Sequence, residues 1–204
     1  MGGMGSKIDS QQILLVGLEG SGKSLFLKKL IELKKKDTEE SSLEQTIGYN
    51  YTSINYNNTT FEIWDLGGDP TTRKYWPTFY QNLKFTIVIF MINVFDTNSH
   101  IASLKELLTL INQEELKQAR FFIVFNLVSD ESKKLTFNDP NTQKEHREVV
   151  DSLLIDLREC PVHDYETRVF WDIIDVSKMK DGENKTTELL TKALLGSKDN
   201  KGVN

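Results

Sequence analysis

The chain has 204 residues, of which 27% are charged and 38% hydrophobic, and its 30 acidic and 25 basic side chains leave a net charge of −5. That length fits one domain, and the apolar content is too high for a disordered chain. The acidic balance lacks the basic field that draws proteins to nucleic acid, so no nucleic-acid partner is expected. The one cysteine, Cys160, closes no internal disulfide, and no Cys/His cluster has zinc-ligand spacing. This cysteine usage fits the cytosol better than secretion. The longest apolar run, residues 85–95, is interrupted by Thr86 and Asn93 and reaches only about half of a membrane span. The N-terminus has no apolar core of the kind that a secretory signal carries.

Residues 1–10 are Gly-rich and polar and are expected to form a flexible lead. The apolar run Ile13–Val16, ending at Gly17, reads as a buried strand. Residues 24–35 set Leu25, Phe26, Leu30, Ile31 and Leu33 among lysines, which predicts a helix with a solvated basic face. Residues 37–44 are acidic and Ser-rich and read as loop. Residues 50–56 and 60–65 read as strands. Asn57-Asn58 between them suits a hairpin turn, because Asn tolerates positive φ. A buried strand is predicted over 86–92, then a helix over 101–118 with Leu104, Leu107, Leu108 and Ile111 on one face. Residues 121–125 form another continuous apolar strand. The polar segment 129–143 reads as a solvated loop, with a partner surface as the alternative. A helix over 145–158, a strand over 169–176 and a helix over 187–195 complete the chain. Strands alternating with helices predict one α/β domain with a largely parallel sheet. Its expected span is 11–197, followed by a flexible C-terminus, 198–204.

The strongest motif is Gly17-Leu18-Glu19-Gly20-Ser21-Gly22-Lys23-Ser24. It has the P-loop pattern, with a strand before it and a helix after it. Its glycines let successive N–H groups turn inward toward phosphate oxygens, and the following helix adds a positive N-terminal end. Lys23 would reach the β and γ phosphates, and the Ser24 hydroxyl would ligate Mg²⁺. Asp65, at the end of a strand in Trp64-Asp65-Leu66-Gly67-Gly68, is placed to hold Mg²⁺ through water. The Gly68 N–H would meet a γ-phosphate. Thr46, after a polar loop, would close on Mg²⁺ and so sense the γ-phosphate; the alternative is a plain turn residue.

These residues resemble the Arf-like (ADP-ribosylation-factor-like) branch of the small GTPases. The similarity runs from about Ile13 to Tyr80, through Thr46-Ile47-Gly48-Tyr49-Asn50, Trp64-Asp65-Leu66-Gly67-Gly68, Arg73, Trp76 and Tyr80-Gln81-Asn82, and resumes more weakly over 115–126. The resemblance implies a P-loop NTPase three-layer sandwich, with a six-stranded, mostly parallel sheet and flanking helices. It implies GTP or GDP with Mg²⁺, and switch segments around Thr46 and Gly68 joined by a hairpin that shifts register on GTP binding. Nucleotide contacts would come from Gly17, Glu19, Gly20, Ser21, Gly22, Lys23, Ser24, Thr46, Gly68, Asn126 and Ser129. It also implies an exposed aromatic triad that receives effectors, here Tyr49, Trp64 and Phe79. The alternative is that these three are packing aromatics.

Two motifs depart from the family. Asp69 stands where a glutamine usually orients the attacking water, and Pro70 stiffens the segment. An ionised Asp cannot donate, and two unit charges about 5 Å apart at an effective dielectric near 20 repel by roughly 3 kcal/mol. Slow intrinsic hydrolysis is therefore expected, with Asp69 as general base the competing idea. The family's Asn-Lys-x-Asp reads here Asn126-Leu127-Val128-Ser129. Leu127 replaces the lysine that packs along the base and braces the P-loop. Ser129 replaces the carboxylate that accepts two guanine N–H groups. Losing such a charge-assisted pair costs on the order of 2–3 kcal/mol. Asp130 would substitute only through a one-residue bulge. Asp175-Val176-Ser177 is the expected place of the later base-supporting loop.

Met1-Gly2-Gly3-Met4-Gly5-Ser6 fits N-myristoylation at Gly2, and a cloning scar gives the same pattern. One such chain gives weak, reversible membrane attachment. The expected function is a nucleotide-dependent switch, with slow or no hydrolysis, that docks a protein effector or a larger assembly. The alternative is a pseudo-GTPase that serves as a structural subunit with a fixed or absent nucleotide. Expected locations are the cytoplasm, a peripheral membrane site, or a cytoskeletal or ciliary assembly.

Overall fold

A computed structural model describes residues 9–32, 48–56, 59–127, 140–159 and 165–179. Six strands form one sheet: β1 (Asp9–Gly17), β2 (Tyr49–Tyr56), β3 (Thr59–Leu66), β4 (Ile87–Asn93), β5 (Arg120–Asn126) and β6 (Val169–Ile174). Their order is β2-β3-β1-β4-β5-β6. Only the β2/β3 pair is antiparallel, with Tyr56 opposite Thr59; the other neighbours run parallel. The helices are α1 (Lys23–Glu32), α2 (Pro70–Arg73), α3 (Trp76–Asn82), α4 (His100–Ile111), α5 (Pro140–Arg158) and α6 (Tyr165–Arg168). This is the α/β sandwich expected, with a six-stranded, mostly parallel sheet and flanking helices.

The central strands are apolar on both faces because both faces are covered. Alternate side chains point to opposite sides. Thus Leu14 and Val16 join Phe90, Phe121 and Ile123 in the core under α3, α4 and α5. Ile13 and Leu15 join Ile63, Met91 and Val124 in the core under α1. Helix α1 faces that second core with Phe26, Leu27 and Leu30, all buried. Helix α5 faces the first core with Val150, Leu153, Leu154 and Leu157, one helical stripe.

Several boundaries differ from the sequence reading. β1 begins at Asp9, inside the expected lead. Helix α4 stops at Ile111 rather than running to 118. The side chains of Asn112 and Gln113 donate to the Leu108 and Thr109 carbonyls at 2.9 and 3.2 Å, satisfying end-of-helix acceptors. A 3-10 turn, Glu114–Leu116, follows. Helix α5 begins at Pro140 and so takes in the last residues of the expected 129–143 loop. β6 ends at Ile174, two residues early, and a 3-10 turn, Val176–Lys178, follows. Helices α2, α3 and α6 were not expected; each is too short to show periodicity. Asn57-Asn58, the predicted 187–195 helix and the 198–204 tail lie outside the described residues. Among the described residues no helix is long and apolar enough to cross a membrane.

Candidate functional site: a phosphate loop and its switch segments

The loop of residues 18–22 lies between β1 and α1, at the C-terminal edge of the parallel strands. That is where open α/β sheets bind ligands. Gly17 turns into it with φ 148°, and a Cβ there would lie 2.4 Å from the Met91 carbonyl oxygen of β4. Lys23, at the first position of α1, is buried and folds back over the loop. Its Nζ donates to the Gly17 and Leu18 carbonyls at 2.9 and 3.0 Å and to Ser21 Oγ at 3.4 Å. Burial pushes the Lys23 pKa down to about 8, against the opposing pull of Asp65, Glu19 and Asp69. The ammonium is thus held at the loop with little hydration, ready for an anionic partner.

Asp65, one residue from the end of β3, is fully buried. Its negative charge is felt at Lys23. Beyond it, Gly68 rests directly on the phosphate loop. The Glu19 N–H donates to the Gly68 carbonyl at 3.1 Å, and a Cβ on Gly68 would lie 2.3 Å from the Gly17 oxygen. The buried Trp76 donates through Nε1 to the Gly67 carbonyl at 3.0 Å and so pins this turn from α3. The Gly67 N–H donates to the Gly48 carbonyl at 2.9 Å, joining the end of β3 to the start of β2.

Asp69 does not point at the loop as a solitary charge. It caps α2: its Oδ1 accepts from the Thr71 and Thr72 N–H groups, each at 3.0 Å, and from the Thr71 hydroxyl. The Thr71 hydrogen bond, then those of Thr72, hold its carboxyl well below the usual carboxylate range. Arg73, at the end of α2, pairs with Glu106 of α4 at 2.8 Å.

On the base side, Asn126 at the end of β5 is fully buried. It donates through Nδ2 to the Ser21 carbonyl at 3.0 Å and accepts the Val176 N–H at Oδ1 at 3.2 Å. It therefore ties the phosphate loop to the turn after β6. Asp175 caps that turn, accepting the Ser177 N–H at 3.0 Å. Leu127 is buried in the core beneath α4 and α5.

On the outer face of the β2/β3 hairpin, three rings meet. Tyr49 lies 5.8 Å from Trp64 and 5.1 Å from Phe79, and Trp64 lies 6.1 Å from Phe79, centroid to centroid. Tyr51 adds a fourth ring, 4.8 Å from Trp64. Tyr49 and Tyr51 are 53% and 49% exposed, so the cluster is a surface patch and not core. Trp64 Nε1 donates to Gln12 Oε1 at 2.8 Å, which fixes the indole.

The sequence profile of the ADP-ribosylation factor family matches residues 2–167. The chain belongs to the ADP-ribosylation factor family. It is 34% identical over 115 residues to ADP-ribosylation factor 1 of Brassica rapa. It is 32% identical over 115 residues to ADP-ribosylation factor-like protein 1 of Caenorhabditis elegans. Each alignment covers 56% of this chain, and the matched part is only 59–60% of those relatives. Among solved structures, the Arl6 BBS3 small GTPase of Trypanosoma brucei with bound nucleotide analogue GppNp superposes with a TM-score of 0.65 at 19% identity. That match covers 92% of this chain and 99% of the other; at such identity it bears on the fold alone.

Within this Arf-family domain the fold brings Gly17, Glu19, Gly20, Ser21, Gly22, Lys23, Ser24, Asp65, Gly68 and Asn126 to one end of the sheet, and Tyr49, Trp64 and Phe79 to one patch beside it. Thr46, Ser129 and Gly2 lie outside the described residues. Sequence reasoning missed Tyr51, and it missed Asn93 at the end of β4, whose Nδ2 donates to the Gly20 carbonyl of the phosphate loop at 3.2 Å. Tyr51 had a signal, since alternation along a strand puts it on the face of Tyr49. Asn93 had only a weak one, a polar residue closing an apolar strand.

Proposed function

We propose that this Arf-family chain is a Mg²⁺-dependent GTP-binding switch that docks a protein partner and hydrolyses GTP slowly or not at all. The observation that carries the reading is Lys23, buried over the phosphate loop with a depressed pKa and with the Asp65 charge nearby. A polyphosphate would meet this ammonium and the loop N–H groups. The donor set fits a hard cation: the Ser24 hydroxyl in the first turn of α1 and the buried Asp65 carboxylate at the end of β3. Thr46 would complete it. These residues would hold Mg²⁺, which would supply positive charge to offset that of a bound polyphosphate. Gly68 touches the loop through its carbonyl, so a γ-phosphate would act on this contact and through it on the Tyr49, Trp64 and Phe79 patch. Slow hydrolysis is supported by Asp69, whose carboxylate caps α2 and cannot orient a water as an amide does. Guanine selectivity is expected to be weakened, because Leu127 is buried in the core and Ser129 offers no carboxylate. The cytoplasm is the expected location, and a myristoyl group on Gly2 would add weak membrane attachment; the intact mass of protein from its native source tests this.

The nucleotide released on denaturing purified protein tests the main reading. Bound GTP, with a single-turnover rate well below that of a glutamine-bearing relative, is the expected result. A rate equal to that relative's overturns slow hydrolysis. The Asp69 cap also favours a second reading, a pseudo-GTPase built into a larger assembly. Protein that carries no nucleotide and takes up none would favour it.

A further inference from the structure

Asn93 and Asn126 are register partners at the ends of the adjacent parallel strands β4 and β5. Each donates to the phosphate loop, and to successive carbonyls: Asn93 Nδ2 to Gly20 at 3.2 Å and Asn126 Nδ2 to Ser21 at 3.0 Å. The Asn93 amide has one consistent orientation, because its Oδ1 accepts the Phe95 N–H at 3.0 Å and the nitrogen must then face Gly20. The backbone there is fixed twice more. The Val94 N–H donates to the Asn126 carbonyl at 3.0 Å, and the His100 ring meets the Asn93 carbonyl at 3.2 Å. Leu127, the residue that follows β5, is buried and has no side-chain donor for the loop.

We propose that Asn93 is a positioning residue for nucleotide binding, which fixes the Gly20–Ser21 peptide unit and so holds the phosphate loop in the course that its nucleotide needs. A peptide unit has its carbonyl and N–H on opposite sides. Anchoring the Gly20 carbonyl to β4 therefore fixes the following Ser21 N–H, which donates to the Leu18 carbonyl at 3.2 Å, just as Asn126 anchors the next unit from β5. Two donors on neighbouring strands fix two successive peptide planes, which one donor cannot do. The proposal rests on nucleotide binding at this loop.

The test uses the full chain with Asn93→Asp, which keeps the acceptor for Phe95, loses the donor and adds a negative charge, and with Asn93→Ala, which loses the donor without adding a charge. Two readouts are taken: dissociation of a fluorescent guanine nucleotide, and amide hydrogen exchange of residues 18–22. Both variants are expected to release nucleotide roughly five- to tenfold faster and to exchange faster in the loop by a similar factor. Exchange in β5 and α5 should stay within twofold of the unmodified chain, which separates loop positioning from general destabilisation. Release and loop exchange both within twofold of the unmodified chain, in both variants, would overturn the proposal. If the unmodified chain binds no nucleotide, the functional reading fails, and loop exchange alone still decides whether Asn93 holds the loop.

Discussion

The Glu19 N–H donates to the carbonyl of Gly68 at 3.1 Å, so the phosphate loop and the segment after β3 share a hydrogen bond across the mouth of the site. Only glycine fits at position 68, because a Cβ would lie 2.5 Å from the Leu18 carbonyl carbon and 2.6 Å from the Glu19 nitrogen. These two atoms and the Gly17 oxygen, the three nearest to such a Cβ, all belong to backbone, so no side chain can swing aside. Gly68→Ala is expected to cost about 1–3 kcal/mol of stability, the usual range for overpacking a tight contact. The Glu19 amide should also exchange faster. Urea unfolding and hydrogen exchange check both effects; unchanged Glu19 exchange would mean that the contact does not hold the segment.

Lys23 gives a pH dependence with a defined sign. Its folded pKa is lowered from 10.5 to about 8. Between those values the unfolded chain keeps a proton that the folded chain has released, so this lysine makes stability rise with pH across that window. Phosphate binding favours the ammonium. Above about pH 8, nucleotide binding should therefore be accompanied by net proton uptake. Calorimetry in two buffers of different ionisation enthalpy measures the uptake, and none at that pH would contradict it.

Asp69→Gln is expected to raise the single-turnover hydrolysis rate by roughly one to two orders of magnitude if the glutamine amide reaches the attacking water. Asp69→Ala should bring no gain, and it should fray α2 because the Thr71 and Thr72 N–H groups lose their acceptor. Equal rates for the two variants would show that a lost glutamine is not what limits turnover.

Asn126→Ala removes a fully buried amide and leaves the Ser21 carbonyl and the Val176 N–H without their partner. The expected loss is about 2–4 kcal/mol. It is read as a lower urea midpoint with an unchanged denaturant slope, together with faster nucleotide release.

For Asp69 itself, the depressed folded pKa means that its contribution to stability is full above the ordinary value of 3.8 and disappears as pH falls through the lower folded value. Carboxyl NMR titration should place its midpoint below 3.8, and Thr71→Val should raise that midpoint by removing the hydroxyl donor.

The sheet and the phosphate loop can both be read in the linear chain. Strands buried on both faces appear as continuous apolar runs, such as Phe121–Phe125, and a loop that turns backbone N–H groups inward needs glycines at fixed spacing. Both are local constraints, so both are visible in a linear reading. The Asp69 substitution was visible too, but not its consequence. Whether that carboxylate faces a phosphate or caps a helix depends on the course of the chain through α2, and four residues carry no periodicity. Likewise the resemblance to the Arf-like family pointed to Tyr49, Trp64 and Phe79, but their ring contacts, and the addition of Tyr51, needed the β2/β3 register and the packing of α3 beside it. The role of Asn93 was decided by tertiary structure alone. It comes from residue 93 lying beside residue 126 and within reach of residue 20, distances in the chain over which no local pattern acts. The net charge of −5 excluded a broad basic surface, but it did not foretell one buried lysine whose local field suits an anion.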